Sequence, residues 1–243
     1  MSRPISLIAA LLASNLASVQ AQAPTERSPV FDGTRLKAFH LAGTVYRIRG
    51  ADTAPAGTFA EELVVHHEEL VLVNTTKTAV LGQILDTLIA RLPDLKPIAY
   101  YQRGPVDTSR IDFRGIVATG SHRTLDGSST PISFILNPSA YAEPTMLLIL
   151  ESATLQEGSS FTVRMFNPVM DSTTVPVTIT VTGSTLLEGR SCWTILVRAG
   201  EGALSYWIDK TSLVPRRLLI PIDSRTSLLL EQSHDHQGIK RAP

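Results

Sequence analysis

The sequence is poor in the features that identify function most directly. It has a single cysteine, Cys192, so no intramolecular disulfide can form, and no cysteine near the amino terminus is available to carry a lipid. Stability has to come from packing. Charged residues make up only 18% of the chain, and its 22 basic and 22 acidic side chains cancel. With no basic run longer than a pair, the counterion release that drives nucleic-acid affinity has no source. Nucleic acid is therefore not an expected partner. Beyond the first residues, no segment reaches the roughly 20 uncharged residues of a membrane-spanning helix, so no span is expected in the mature chain.

Catalytic signatures are lacking as well. The chain has no G-x-S-x-G, no H-E-x-x-H, no G-x-x-x-x-G-K-[ST] and no G-x-G-x-x-G. Gly120-Ser121-His122 is the nearest approach to a nucleophile motif, but adjacent residues of a strand point to opposite faces and cannot act as nucleophile and base. His66-His67-Glu68-Glu69 reads as a polar turn rather than a set of metal ligands, and His234-Asp235-His236 lies in a polar tail. Asp86, Asp112, Glu151 and Asp209 are carboxylates that a fold could bring together, although nothing in the sequence selects a pair. Asp209 is explained more simply as a turn residue bonding its own backbone. Asn74-Thr75-Thr76 fits a glycosylation acceptor. No metal and no cofactor are expected, and the chain is not expected to be an enzyme.

What the sequence does contain begins at its amino terminus. Arg3 precedes an apolar stretch over residues 5–16, and Val19-Gln20-Ala21 fits a small-x-small cleavage site. This is the pattern of a signal peptide over residues 1–21 cut after Ala21, and it predicts a periplasmic or secreted protein. Residues 22–35, with Pro24 and Pro29, read as a flexible lead-in, residues 36–230 as one β-rich domain and residues 231–243 as a polar tail.

Alternation of period two recurs through that domain. Val177, Ile179 and Val181 alternate with threonines, Trp193, Ile195 and Val197 alternate with Cys192, Thr194 and Leu196, and Leu204, Tyr206 and Ile208 follow after the turn-forming Gly200-Glu201-Gly202, which reads as a hairpin. Cys192, inside the same alternating run, reads as a small buried hydrophobe. A further turn at Asp209-Lys210-Thr211-Ser212 leads into residues 214–222. Further strands are expected at residues 37–49, 59–66, 70–74, 83–90, 97–103 and 110–119, and a helix at 141–155 with Pro144 in its first turn. The apolar positions of residues 80–92 suit a strand or a helix. Residues 88–97 and 206–215 share a loose form, an apolar strand, a short turn and then Leu-x-Pro, which predicts two similar hairpins.

The stretch Tyr206-Trp207-Ile208-Asp209-Lys210-Thr211-Ser212-Leu213-Val214-Pro215-Arg216 resembles the W-I-D-x-x-T-x-L-P-x-R hairpin of exported bacterial proteins of the DUF3108 family. More remotely it is similar to the periplasmic lipoprotein carriers. It departs from that pattern in placing Val214 between Leu213 and Pro215. Leu85-Asp86-Thr87-Leu88-Ile89, Leu95-Lys96-Pro97-Ile98 and Ile111-Asp112-Phe113-Arg114-Gly115 carry the same resemblance. It implies a mainly β fold, a single curved antiparallel sheet forming a half-barrel or open barrel with one or two short covering helices, and it makes residues 80–92 a strand.

The expectation for function is an exported binding protein whose curved sheet holds a lipid or another apolar or amphiphilic molecule without covalent chemistry. Phe113, Phe134, Phe161, Met165, Tyr206 and Trp207 are the expected lining, because aromatic and methionine side chains fill apolar cavities as well as cores. The alternative is a structural or assembly protein of the cell envelope that contacts a protein partner through a strand edge or an exposed patch.

Overall fold

The computed structural model describes residues 31–79, 82–169 and 173–233. The expectations for residues 1–21, for residues 22–30 of the lead-in, for Val80 and Leu81 and for His234-Asp235-His236 lie outside those residues.

Alternating burial accompanies strand over 67% of the described residues: β1 (Phe39–Arg49), β2 (Asp52–His66), β3 (Glu69–Thr78), β4 (Gly82–Arg91), β5 (Pro97–Arg103), β6 (Asp107–Arg114), β7 (Val117–Thr124), β8 (Ser129–Ile135), β9 (Ala140–Ala142), β10 (Ser160–Phe166), β11 (Val175–Leu187), β12 (Arg190–Ala199), β13 (Gly202–Asp209), β14 (Pro215–Pro221) and β15 (Thr226–Gln232). All fifteen belong to one sheet, in the order β8-β7-β6-β5-β4-β3-β2-β1-β15-β14-β13-β12-β11-β10-β9. Two meanders, β1–β8 and β9–β15, thus form two wings joined where β1 pairs with β15, Val45 opposite Leu230. The sheet is curved and does not close into a barrel.

Among the described residues one α-helix, α1 (Met146–Ser152), packs into the core on the concave side. Its sequence, Met-Leu-Leu-Ile-Leu-Glu-Ser, is apolar nearly all round, and every residue of it is buried, as expected of a helix enclosed by protein. It is shorter than the helix expected over residues 141–155. Ala140–Ala142 pairs instead with β10, Pro144 lies in a 3-10 turn ahead of α1, and Ala153 bridges Phe31. The β9–β10 pair is parallel, and α1 lies in the crossover that a parallel pair requires. All other strand pairs are antiparallel, as expected.

Residues 110–119, expected to be one strand, belong to β6 and β7, because Gly115 adopts φ +62° and reverses the chain. Residues 82–91 are strand, with Ile84, Leu88 and Ala90 turned to the core. The two Leu-x-Pro stretches are equivalent in detail. Leu95 and Leu213 both take a left-handed φ, of 57° and 59°, and each donates its N–H to the carbonyl four residues back, of Arg91 and Asp209. Cys192 is buried, and burial pushes its thiol pKa up.

Candidate functional site

The inner face of the β1–β8 wing carries a polar row that follows from strand register. Glu61 of β2 lies opposite Asn74 of β3, Asn74 opposite Asp86 of β4, Asp86 opposite Gln102 of β5, Gln102 opposite Ser109 of β6, and Ser109 opposite His122 of β7. At about 4.8 Å between neighbouring strands, six polar residues cross the wing side by side. The row directly beneath is apolar apart from one hydroxyl and one glycine: Leu63, Leu72, Leu88, Tyr100, Ile111 and Gly120.

Part of the polar row is hydrogen-bonded. The Tyr100 hydroxyl donates to Asp86 Oδ1 at 2.8 Å, and Gln102 Nε2 donates to the same oxygen at 2.9 Å. Ser109 Oγ and His122 Nδ1 lie 2.9 Å apart, and His122 Nε2 is 3.8 Å from Asp107 Oδ2. The deeper end of the row is not satisfied. Asn74 Oδ1 has no hydrogen-bond partner, and among the described residues no donor reaches the Glu61 carboxyl.

Between this end of the row and α1 is a cavity of about 120 Å³. Its polar wall consists of Glu61, Asn74, Thr76, Asp86 and Glu143. Tyr206, Leu218, Ile220 and Leu230 of the other wing form the opposite side, with Met146 and Leu147 of α1 between. Phe59 completes the wall. Its ring lies over Gly43, where a Cβ would come within 2.5 Å of it and within 2.1 Å of the Glu231 carbonyl oxygen, so only glycine fits there. Glu151, on α1, is buried with Oε1 unpartnered, and its carboxyl interacts electrostatically with that of Glu61.

Three carboxyls therefore line the cavity, a fourth, that of Glu151, interacts with Glu61, and burial dominates their titration. It pushes Glu61 up to about 8 and Glu143 up to about 8, the latter also through Asp86 and against an Asn167 hydrogen bond. Glu151 is raised well above the ordinary range by burial and by Glu61. Asp86 is raised by burial, against the hydrogen bonds from Gln102 and Tyr100. Glu61 and Glu143 hold their protons at neutral pH, which is how uncompensated carboxyls can be accommodated in such a place. Among the described residues no cluster of His, Cys, Asp and Glu has metal-binding geometry.

Of the six residues expected to line a ligand site, only Tyr206 borders this cavity. Phe113 and Phe134 pack edge-on against Phe166, with ring centroids 6.0 and 6.3 Å away, and Met165 is fully buried in the same core. Phe161 is half-buried at the core's margin. Trp207 is the neighbour of Tyr206 in β13, so strand alternation turns it to the opposite, outer face.

Asp112 pairs with exposed Arg110, and Asp209 accepts from the N–H groups of Thr211 and Ser212 as the turn residue it was expected to be. His67 and Glu68 form the β2–β3 turn. Asn74 faces the cavity, where a glycan has no room. Glu61, Asn74 and Glu143 were not anticipated, although one signal was available: Phe59-x-Glu61-x-Leu63 and Ile84-x-Asp86-x-Leu88 place a carboxylate at an inward position of an alternating strand.

Ser109, His122 and Asp107 have the composition of a hydrolase triad but not its setting. Ser109 is 4% exposed, and both neighbouring strands pair with β6, occupying the backbone N–H groups from which an oxyanion hole would be made.

A family model described as protein of unknown function (DUF3108) matches residues 43–227. Among solved structures, the chain is similar to a beta-barrel-like protein of the domain of unknown function DUF1849 from Brucella abortus. That match has 7% identity and a TM-score of 0.45 and covers 79% of this chain and 95% of the other. It is also similar to a DUF1329 family protein from Desulfovibrio piger, at 8% identity and a TM-score of 0.28, over 83% of this chain and 86% of that one. No curated protein matches. With most of its length matched by one family model, the chain belongs to the DUF3108 family.

Proposed function

We propose that this is an exported, non-enzymatic binding protein that holds an apolar or amphiphilic molecule between the concave face of the sheet and α1. The observation that carries the reading is the cavity itself. One wall is apolar, the other holds unsatisfied polar groups, and together they meet both halves of an amphiphile. Export is supported by Arg3, the apolar residues 5–16 and Val19-Gln20-Ala21. A role without covalent chemistry is supported by the absence of any catalytic signature in the sequence and by the setting of Ser109.

At about 120 Å³ the cavity is smaller than the 300–1,000 Å³ usual for drug-sized ligands and close to the roughly 150 Å³ that admits benzene in an engineered core. It takes a short segment as it stands, and a full acyl chain enters only if α1 is displaced. The competing reading, an envelope assembly protein, draws on one observation. The open sheet leaves β8 at an edge, with Ile135 and its cross-strand neighbour Val117 exposed.

Native mass spectrometry of the mature protein, purified without detergent from the exported fraction, tests the choice. A defined co-purifying mass that organic extraction removes is the expected result. A clean apo mass, with no thermal stabilisation by a panel of short- and long-chain amphiphiles, overturns the binding reading and favours the edge.

A further inference from the structure

The unsatisfied polar atoms around the cavity are all acceptors. Asn74 Oδ1 lies on its wall without a donor, and Glu151 Oε1 is unpartnered on a side chain only 6% exposed whose carboxyl interacts with that of Glu61. Asp86 and Glu143 add further carboxyl oxygens, of which hydrogen bonds occupy one each. No basic side chain lines the cavity. Arg216 and Arg217 of β14 pair with Asp209 and Glu231 instead. An anionic head would be repelled and a hydroxyl head brings one O–H donor to several acceptors, whereas an ammonium brings three N–H donors and a charge that the carboxyls neutralise on losing their protons.

From this arrangement we infer that the ligand is a cationic amphiphile, its ammonium head held by Glu61, Asn74, Asp86 and Glu143 and its short alkyl part against Tyr206, Leu218, Ile220 and Leu230. The inference rests on the binding reading above and adds the charge and the orientation of the ligand. It also accounts for an otherwise costly arrangement, since buried acids without cations destabilise a core unless something bound compensates them.

The titratable groups facing the site are Glu61 of β2, Asp86 of β4, Tyr100 of β5, Glu143 and Glu151 on and before α1, and Tyr206 of β13. Glu61 and Glu143 keep their protons below about 8, so binding an ammonium near neutrality expels a proton to solvent. Affinity therefore rises with pH through that value, up to the amine's own pKa, which is near the roughly 10.4 of lysine.

Calorimetric titration of the mature protein with hexylammonium, hexanol and hexanoate tests this. At pH 8.5 hexylammonium is expected to bind at least about tenfold more tightly than hexanol, and hexanoate more weakly than either. At pH 7, comparing buffers of different ionisation enthalpy should reveal proton release with hexylammonium and none with hexanol. In the double variant Glu61→Gln with Glu143→Gln the tenfold preference should fall to within about twofold, while an unchanged circular dichroism spectrum and cooperative thermal unfolding show that the fold is intact. Equal or tighter binding of hexanol or hexanoate by the parent protein overturns the cationic head and leaves the binding reading standing. Failure of all three to bind overturns both.

Discussion

The two wings of the sheet use the same alternation to opposite ends. Across the β9–β15 wing, the inward row reads Val181, Ile195, Tyr206, Leu218 and Leu230 and continues to Val45 of β1, apolar throughout but for one hydroxyl. Across the β1–β8 wing, the row reads Glu61, Asn74, Asp86, Gln102, Ser109 and His122. Both wings bury apolar rows, Leu63, Leu72, Leu88 and Ile111 among them in the first. The β1–β8 wing also places polar groups where hydrophobic ones would pack, and Asn74 Oδ1 among them has no partner. A fold that depends on packing for its stability, with one cysteine and no disulfide, has no structural need for such a row. The contrast is what the proposed binding site, in the first wing and at its border with α1, rests on.

The comparison breaks most sharply in the apolar wing. Ile195 is fully buried, and Ile195→Ala should cost about 2–5 kcal/mol in urea unfolding. A loss below about 1 kcal/mol would mean that this wing is not a stabilising one.

The polar wing should show the opposite sign. Between the ordinary Glu pKa of 4.5 and about 8, the folded chain holds the Glu61 proton while the unfolded chain has lost it. Stability then falls as pH rises across that window, by up to about 1.4 kcal/mol per pH unit from this group, and levels off above it. Glu61→Gln removes that contribution. The variant should match the parent at pH 4 and exceed it at pH 8, which thermal unfolding at the two pH values checks, and the same deficit at both would refute the buried-acid account.

Ser109→Ala takes the partner from His122 Nδ1 and should cost only about 1 kcal/mol, measurable by the same unfolding. Smallest of all is Arg91→Ala, which breaks the exposed pair with Asp94 outside both rows. A change within about 0–1 kcal/mol is expected, and a larger one would assign the β4–β5 turn a role in holding the wing.

Much of this was legible before the fold. The hairpin of β12 and β13 and the turn at Asp209 follow from alternation and turn chemistry, and the Leu-x-Pro repeat corresponds to two hairpins with the same left-handed leucine. The boundaries of α1 were less legible. The glycine-free run over residues 141–155, with Met146, Leu147 and Ile149, suits a helix by composition, yet Ala140–Ala142 finds a strand partner in β10, so long-range pairing set where the helix begins. Pairing Trp207 with Tyr206 as lining disregarded an alternation already present in the sequence, since neighbours in a strand cannot share a face.

The sequence by itself determined which side of each strand is apolar, where many of the turns fall and to which family the chain belongs, because period, turn residues and family motifs are local properties of the chain. Only the tertiary structure decided that Glu61, Asn74 and Asp86 lie side by side, that Glu143 joins them around a cavity and that Glu151 comes near enough to interact with Glu61. The reason is register: a slip of one residue between neighbouring strands would turn each of these side chains to the other face, and what holds the register is the packing of the whole sheet against α1.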